Sequence, residues 1–152
     1  MNVSAEVDND VKQAALDAAR QALTAGRPVT LSAGGLSMGT GWGDVEAVTI
    51  APVPKRITRG MVVVFARDGL WVAHRVIGFV RIAGIHHLLT KGDGVRRVDQ
   101  PPVRTDEPMG IVASIWRCGR AISLRTPGAR LRHWCRAIVE LFLSALARLM
   151  MN

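Results

Sequence analysis

Two residues of the chain, Ser37 and His74, have types and settings that suit nucleophilic chemistry. Ser37 lies in the glycine-rich run Gly34 to Gly43, directly after the short apolar segment Val29-Thr30-Leu31-Ser32. His74 lies inside a longer apolar run, Leu70 to Val80. A serine hydroxyl is a weak nucleophile near neutral pH and needs a neighbouring base to take its proton. An imidazole titrates in that range and suits the task. A carboxylate must then hold the ring and stabilise its charged form. Asp93 and Asp99, in the turn-rich segment after His74, are the two candidates.

Taken singly, these features are weak. A serine among glycines is ordinarily a loop residue, and one histidine in a strand is ordinarily structural. The glycines around Ser37 do not follow the G-x-x-x-x-G-K-[ST] order of a phosphate loop, so nucleotide binding is not expected. His86 and His87 are adjacent, and adjacent strand residues point to opposite faces. No metal and no cofactor is expected from them.

The elements that must position these residues can be read from the pattern. Residues 9–25 read as an amphipathic helix with Val11, Ala14, Leu16, Ala18, Ala19 and Leu23 on its apolar side. Asn9 or Asp10 would cap it, and Gly26 and Pro28 would end it. From Val29 to Leu124 the texture is short β-type runs divided by turn residues, including Arg67-Asp68-Gly69 and Lys91-Gly92-Asp93-Gly94. Strands at this spacing predict a mainly β fold, a coiled antiparallel domain with a helix at each end, and not a βαβ sheet. Thr126-Pro127-Gly128 closes the β region. Residues 129–150 read as a second helix, with Leu131, Trp134, Cys135, Ile138, Leu141, Phe142, Ala145 and Leu149 on one broad face. The expected division is 1–28, 29–125 and 126–152.

The totals narrow the class. The 152 residues suit one domain, and 49% are hydrophobic with no tyrosine, so the core must rest on aliphatic side chains. No apolar run reaches the ~18–20 residues of a spanning helix. The formal charge of +8 invites anionic partners, either lipid headgroups or nucleic acid. Arg117, Arg120, Arg125, Arg130, Arg132 and Arg136 concentrate it near the C-terminal end. The second helix then has two readings: packing on the β-domain, or peripheral contact with an anionic membrane through residues 129–152. Cys118 and Cys135 form no ligand pair and no disulfide framework, and the N-terminal segment lacks the apolar core of a secretory signal. A reducing, cytoplasmic setting is expected on those grounds.

Several segments in order carry a resemblance. Gly35-Leu36-Ser37-Met38, Gly43-Asp44, Val62-Val63-Val64-Phe65, Ala73-His74-Arg75-Val76-Ile77-Gly78, Thr90-Lys91-Gly92-Asp93, Asp99 and Met109-Gly110-Ile111-Val112 resemble the type I signal peptidase and LexA-like serine peptidase superfamily. The match runs from about Val29 to Leu124 and follows the histidine-base branch, similar to archaeal and endoplasmic-reticulum members, in place of the bacterial lysine. It implies a serine endopeptidase with Ser37 as nucleophile, His74 as base, and Asp99 or Asp93 as the orienting acid, Asp99 slightly favoured. The implied substrate is an extended peptide or leader segment, met by Leu36, Met38 and Val72. Two departures stand out: Thr40 occupies a position where the family commonly has proline, and Gly60-Met61 replaces a second Gly-Asp. A peptide-binding module that kept the fold without efficient chemistry is the alternative. A self-cleaving DNA-bound regulator fits less well, because the short N-terminal helix is no helix-turn-helix, and nucleic acid is not an expected partner.

Overall fold

The computed structural model describes residues 3–32, 42, 44–68, 70–95 and 97–149, with side chains 3–12 and 146–149 outside the description. The element order is α1 (Val3–Thr24), β1 (Val29–Ser32), β2 (Ala47–Ala51), β3 (Val62–Arg67), β4 (Leu70–Ile82), β5 (Ile85–Lys91), β6 (Val103–Arg104), β7 (Gly110–Arg117), β8 (Arg120–Ser123) and α2 (Pro127–Leu149). The fold is mainly antiparallel β with one helix at each end, as the strand spacing predicts. Pairing runs β1-β2-β7-β3-β4-β5-β6, and β8 adds to β7. The strand β7 thus joins the early strands to the β3–β4–β5 meander.

Tight turns make the meander possible. Asp68 adopts a left-handed φ of 52° between β3 and β4, and Ala83 and Gly84 do so at 48° and 81° between β4 and β5. Two-residue turns of this hand match the twist of the strands they join. The β3 run is apolar on both sides because both of its faces are covered. Val62 and Val64 pack in one cluster with Ala19 and Leu23 of α1, Val48, Ile50, Trp71, Ala73, Val112 and Ile115. Val63 and Phe65 pack in the other with Ala51, Val76, Leu88, Val103 and Ile111.

The helices differ from the sequence expectation in informative ways. The first helix begins at Val3, so Asn9 and Asp10 lie within it and do not cap it. Of its expected apolar side, Ala19 and Leu23 are buried and Leu16 packs against them, whereas Ala14 and Ala18 are exposed; the Val11 side chain lies outside the described residues. α2 starts at Pro127, where the missing N–H costs nothing, and Thr126 Oγ1 accepts from the Ala129 N–H at 3.3 Å.

α2 docks on the sheet through a side that overlaps the expected apolar face only in part. Ala129 and Ala137 are buried, while Leu131, Trp134 and Phe142 from the expected apolar face are exposed. Close approach explains the choice. A Cβ on Gly60 would stand 2.7 Å from the backbone of His133 and Trp134, so only glycine admits the helix there. Gly60 also holds φ at +88°, which side chains disfavour. Lys91 pairs with Glu140, and Leu141 reaches toward Gly78.

His133 is part of this seam and makes it pH-sensitive. Its burial, then the facing Arg75 guanidinium, hold the imidazole pKa at about 4, below the ordinary 6.5, against an opposing pull from Asp93. The unfolded chain therefore binds a proton at a pH where the native one does not. Stability is complete above pH 6.5 and falls as pH drops toward 4. Thermal melts from pH 7 to pH 4.5 are expected to lose more stability in the native chain than in His133→Gln. Equal slopes would show that the imidazole is not held neutral.

Candidate active site

His74 is delivered by β4, whose register sets it opposite Val63 of β3. Successive strand residues alternate, so His74 and Arg75 face opposite sides of the sheet. On the His74 side, Val72 pairs with Phe65, and the imidazole meets the Phe65 ring edge-on with centroids 6.0 Å apart at 79°. These apolar neighbours exclude water from one flank of the ring and leave it few positions.

The carboxylate that meets this histidine is Asp99. The Nδ1–H of His74 donates to Asp99 Oδ2 at 2.6 Å. The hydroxyl of Thr90 donates to the same oxygen at 2.6 Å, and the Asp99 N–H donates to the Thr90 carbonyl at 2.9 Å. Thr90 thereby fixes both the backbone and the side chain of Asp99. Arg67 approaches the other oxygen at 4.0 Å, lies over the Phe65 ring at 5.2 Å, and donates to the Pro101 carbonyl at 2.8 Å. The guanidinium so braces the segment that carries Asp99.

With Nδ1 as donor, the second ring nitrogen carries the lone pair. That atom, Nε2, is buried and has no hydrogen-bond partner among the described residues. A buried polar atom without a partner is costly and calls for an explanation. An oriented imidazole with an open acceptor is the arrangement a general base requires.

Asp93 is a different matter. It does not meet His74. Its carboxylate forms a two-pronged pair with Arg75, Oδ1 to Nε at 2.8 Å and Oδ2 to Nη2 at 2.6 Å. Both side chains are 2% exposed. Arg75 Nη1 also donates to the Gly60 carbonyl and to His133 Nδ1, each at 2.8 Å. Burial works against the Asp93 charge, but the hydrogen bonds and charge of Arg75 outweigh it, with Arg136 and Trp42 adding to them, and the pKa is lowered. Asp93 is thus corrected from candidate orienting acid to the anchor of a buried arginine that ties α2 to the sheet. Nothing in local composition marked that node; the signal available was an arginine next to a candidate catalytic histidine on an apolar strand.

Gly92, next to Asp93 in the chain, stands against the His74 ring. A Cβ there would lie 3.0 Å from His74 Nε2, 3.3 Å from Cδ2 and 3.1 Å from Val95 Cγ2. Lys91-Gly92-Asp93 therefore serves two faces at once: glycine clears room for the imidazole, and its neighbours bind α2 and Arg75. Gly92→Ala is expected to push the ring by a few tenths of an ångström; if Nε2 serves as base to Ser37, reaction of that serine with a fluorophosphonate should slow roughly 10-fold, short of the ~10²-fold that a 1 Å displacement can cost. An unchanged labelling rate with an unchanged fold would mean that the Nε2 side of the ring is not used.

Of the remaining residues expected at the site, Val72 is half-buried on the His74 face of β4 and packs against the Phe65 cluster. Ser37, Leu36 and Met38 lie outside the described residues. Compared with protein-family models, with curated proteins and with solved structures, the chain matches none.

Proposed function

We propose that the chain is a serine endopeptidase of the signal peptidase type, with Ser37 as nucleophile, His74 as general base and Asp99 as the acid that orients it. The observation that carries this reading is the 2.6 Å bond from His74 Nδ1–H to Asp99, which leaves a buried Nε2 without a partner among the described residues. The order of sequence segments around Ser37 and His74 supports it independently. In the proposed reaction the Ser37 oxygen attacks the scissile carbonyl carbon as its proton passes to Nε2. The resulting imidazolium is stabilised by the Asp99 carboxylate. Nε2 then returns the proton to the leaving amine as the C–N bond breaks, and water hydrolyses the acyl-serine ester by the same route. The oxyanion is assigned to backbone donors at the nucleophile, the Ser37 N–H among them.

The substrate proposed is an extended peptide or precursor segment. Main-chain hydrogen bonding of such a peptide to a strand gives affinity, and shallow pockets give selectivity. Val72, half-buried beside His74, supports an apolar contact near the cut.

The experiment is reaction with a fluorophosphonate, which labels activated serines, followed by mapping of the modified residue. Stoichiometric labelling of Ser37 at neutral pH is expected, none in Ser37→Ala and very little in His74→Ala. A native chain that resists the probe but retains peptides in pull-down would instead be a binding module. Labelling that survives both substitutions would remove the assignment.

A further inference from the structure

The face of α2 turned away from the sheet is apolar, basic and uncovered. Leu131 is 62% exposed, Phe142 70% and Trp134 47%, with Val139 and Leu143 also more than half exposed. At about 100° per residue, Trp134, Leu131 and Phe142 fall within roughly 80° of arc. Arg130 lies about 40° beyond the Trp134 edge of that arc, and on the other side Arg132 stands beside the exposed Val139, about 80° beyond Phe142, followed by Arg136. The helix contains a single acidic residue, Glu140, and it is turned inward to Lys91. The exposed face therefore carries no negative charge. Where Leu141 crosses β4 at Gly78, that strand goes on to expose Phe79 and Ile82 as well.

We propose that this face docks on an anionic lipid bilayer, with α2 lying in the plane of the interface. An apolar arc framed by arginines, with tryptophan at its border, matches both layers of such a surface: acyl chains beneath and phosphates beside. The charge pattern argues against a second copy of the chain as occupant. Two such faces pressed together would set arginine against arginine in a molecule of net charge +8, with no carboxylate to offset them. No helix among the described residues is long and apolar enough to cross a membrane, so the contact is peripheral. The docking of α2 onto Gly60 and Arg75 fixes which side of the helix is presented.

The test is flotation of the full chain with vesicles of phosphatidylcholine alone or mixed with phosphatidylglycerol, at low and high salt. The native chain is expected to float with the mixed vesicles, and at least 10-fold less with neutral ones or at high salt, since screening weakens headgroup attraction. Leu131→Ser/Phe142→Ser, which alters only exposed side chains, is expected to lower partitioning at least 10-fold with the circular dichroism unchanged. Arg130→Gln/Arg132→Gln is expected to abolish the preference for phosphatidylglycerol. Failure of the native chain to float, or equal flotation of the serine variant, would overturn the proposal. So would a dimer in sedimentation equilibrium that the serine variant dissociates. Ser37→Ala should float like the native chain, which keeps this result separate from the peptidase assignment.

Discussion

Asp99→Asn is expected to slow fluorophosphonate labelling of Ser37 by on the order of 10⁴ while leaving the fold in place. The size follows from the tautomer. Asp99 accepts the Nδ1–H of His74, so Nε2 holds the lone pair that receives the serine proton in the proposed reaction. An asparagine can offer its amide N–H to Nδ1 instead. The ring proton then moves to Nε2, and the base has nothing with which to accept. The Thr90 hydroxyl meets the same atom of residue 99 and can turn to accept the second amide N–H, and the backbone bond from residue 99 to Thr90 is untouched. Stability should fall by about 1.5–3 kcal/mol, the range for one lost charged hydrogen bond. The decisive measurement is the labelling rate against pH, with urea melts on the same sample. A rate within tenfold of the native one would show that the His74–Asp99 pair is structural.

Asp93→Asn is expected to have the opposite signature. Removing one charge from a buried pair leaves the other uncompensated, which costs about 3–5 kcal/mol. Here the stranded group is Arg75, whose remaining partners, the Gly60 carbonyl and a neutral His133, are not charged. Loosening at that node should spread to α2, because Gly60, His133 and Arg136 all converge on it. Urea unfolding should show the loss. Under native conditions the folded fraction should still label at close to the native rate, because Asp93 does not touch His74. Full stability in Asp93→Asn would mean that the arginine is satisfied by other groups, and that α2 is held without the Asp93 charge. The two aspartates, six residues apart, thus separate chemistry from folding in a single comparison.

Much of the β architecture was legible because its cues are local. The Val62-Val63-Val64-Phe65 run, the apolar run from Leu70 to Val80 and the turn at Asp68 each specify backbone shape within a few residues. Those signals placed strands close to where β3, β4, β5 and β7 lie. The strand β6, Val103–Arg104, is only two residues long and has no period to detect. The start of α1 was set too late because Asn9 and Asp10 have the types of capping residues, and type alone does not say that a helix begins there. For α2 the hydrophobic pattern left two readings open, and much of its apolar face, Leu131, Trp134 and Phe142, is uncovered. Close packing against Gly60 selects the small side chains Ala129 and Ala137, and the polar bonds of His133 and Glu140 then bind that side to the sheet.

By itself the sequence determined the strand-and-turn texture, the terminal helices and the residue types able to form a nucleophile, a base and an acid. Only the tertiary structure decided which aspartate serves the histidine. Alternation along β4 sends His74 and Arg75 to opposite faces, and the chain after β5 returns Asp99 to Thr90 on one face while Asp93 meets Arg75 on the other. That partition depends on strand pairing between segments distant in the chain, where hydrogen-bond register and burial act together. No window of neighbouring residues contains it.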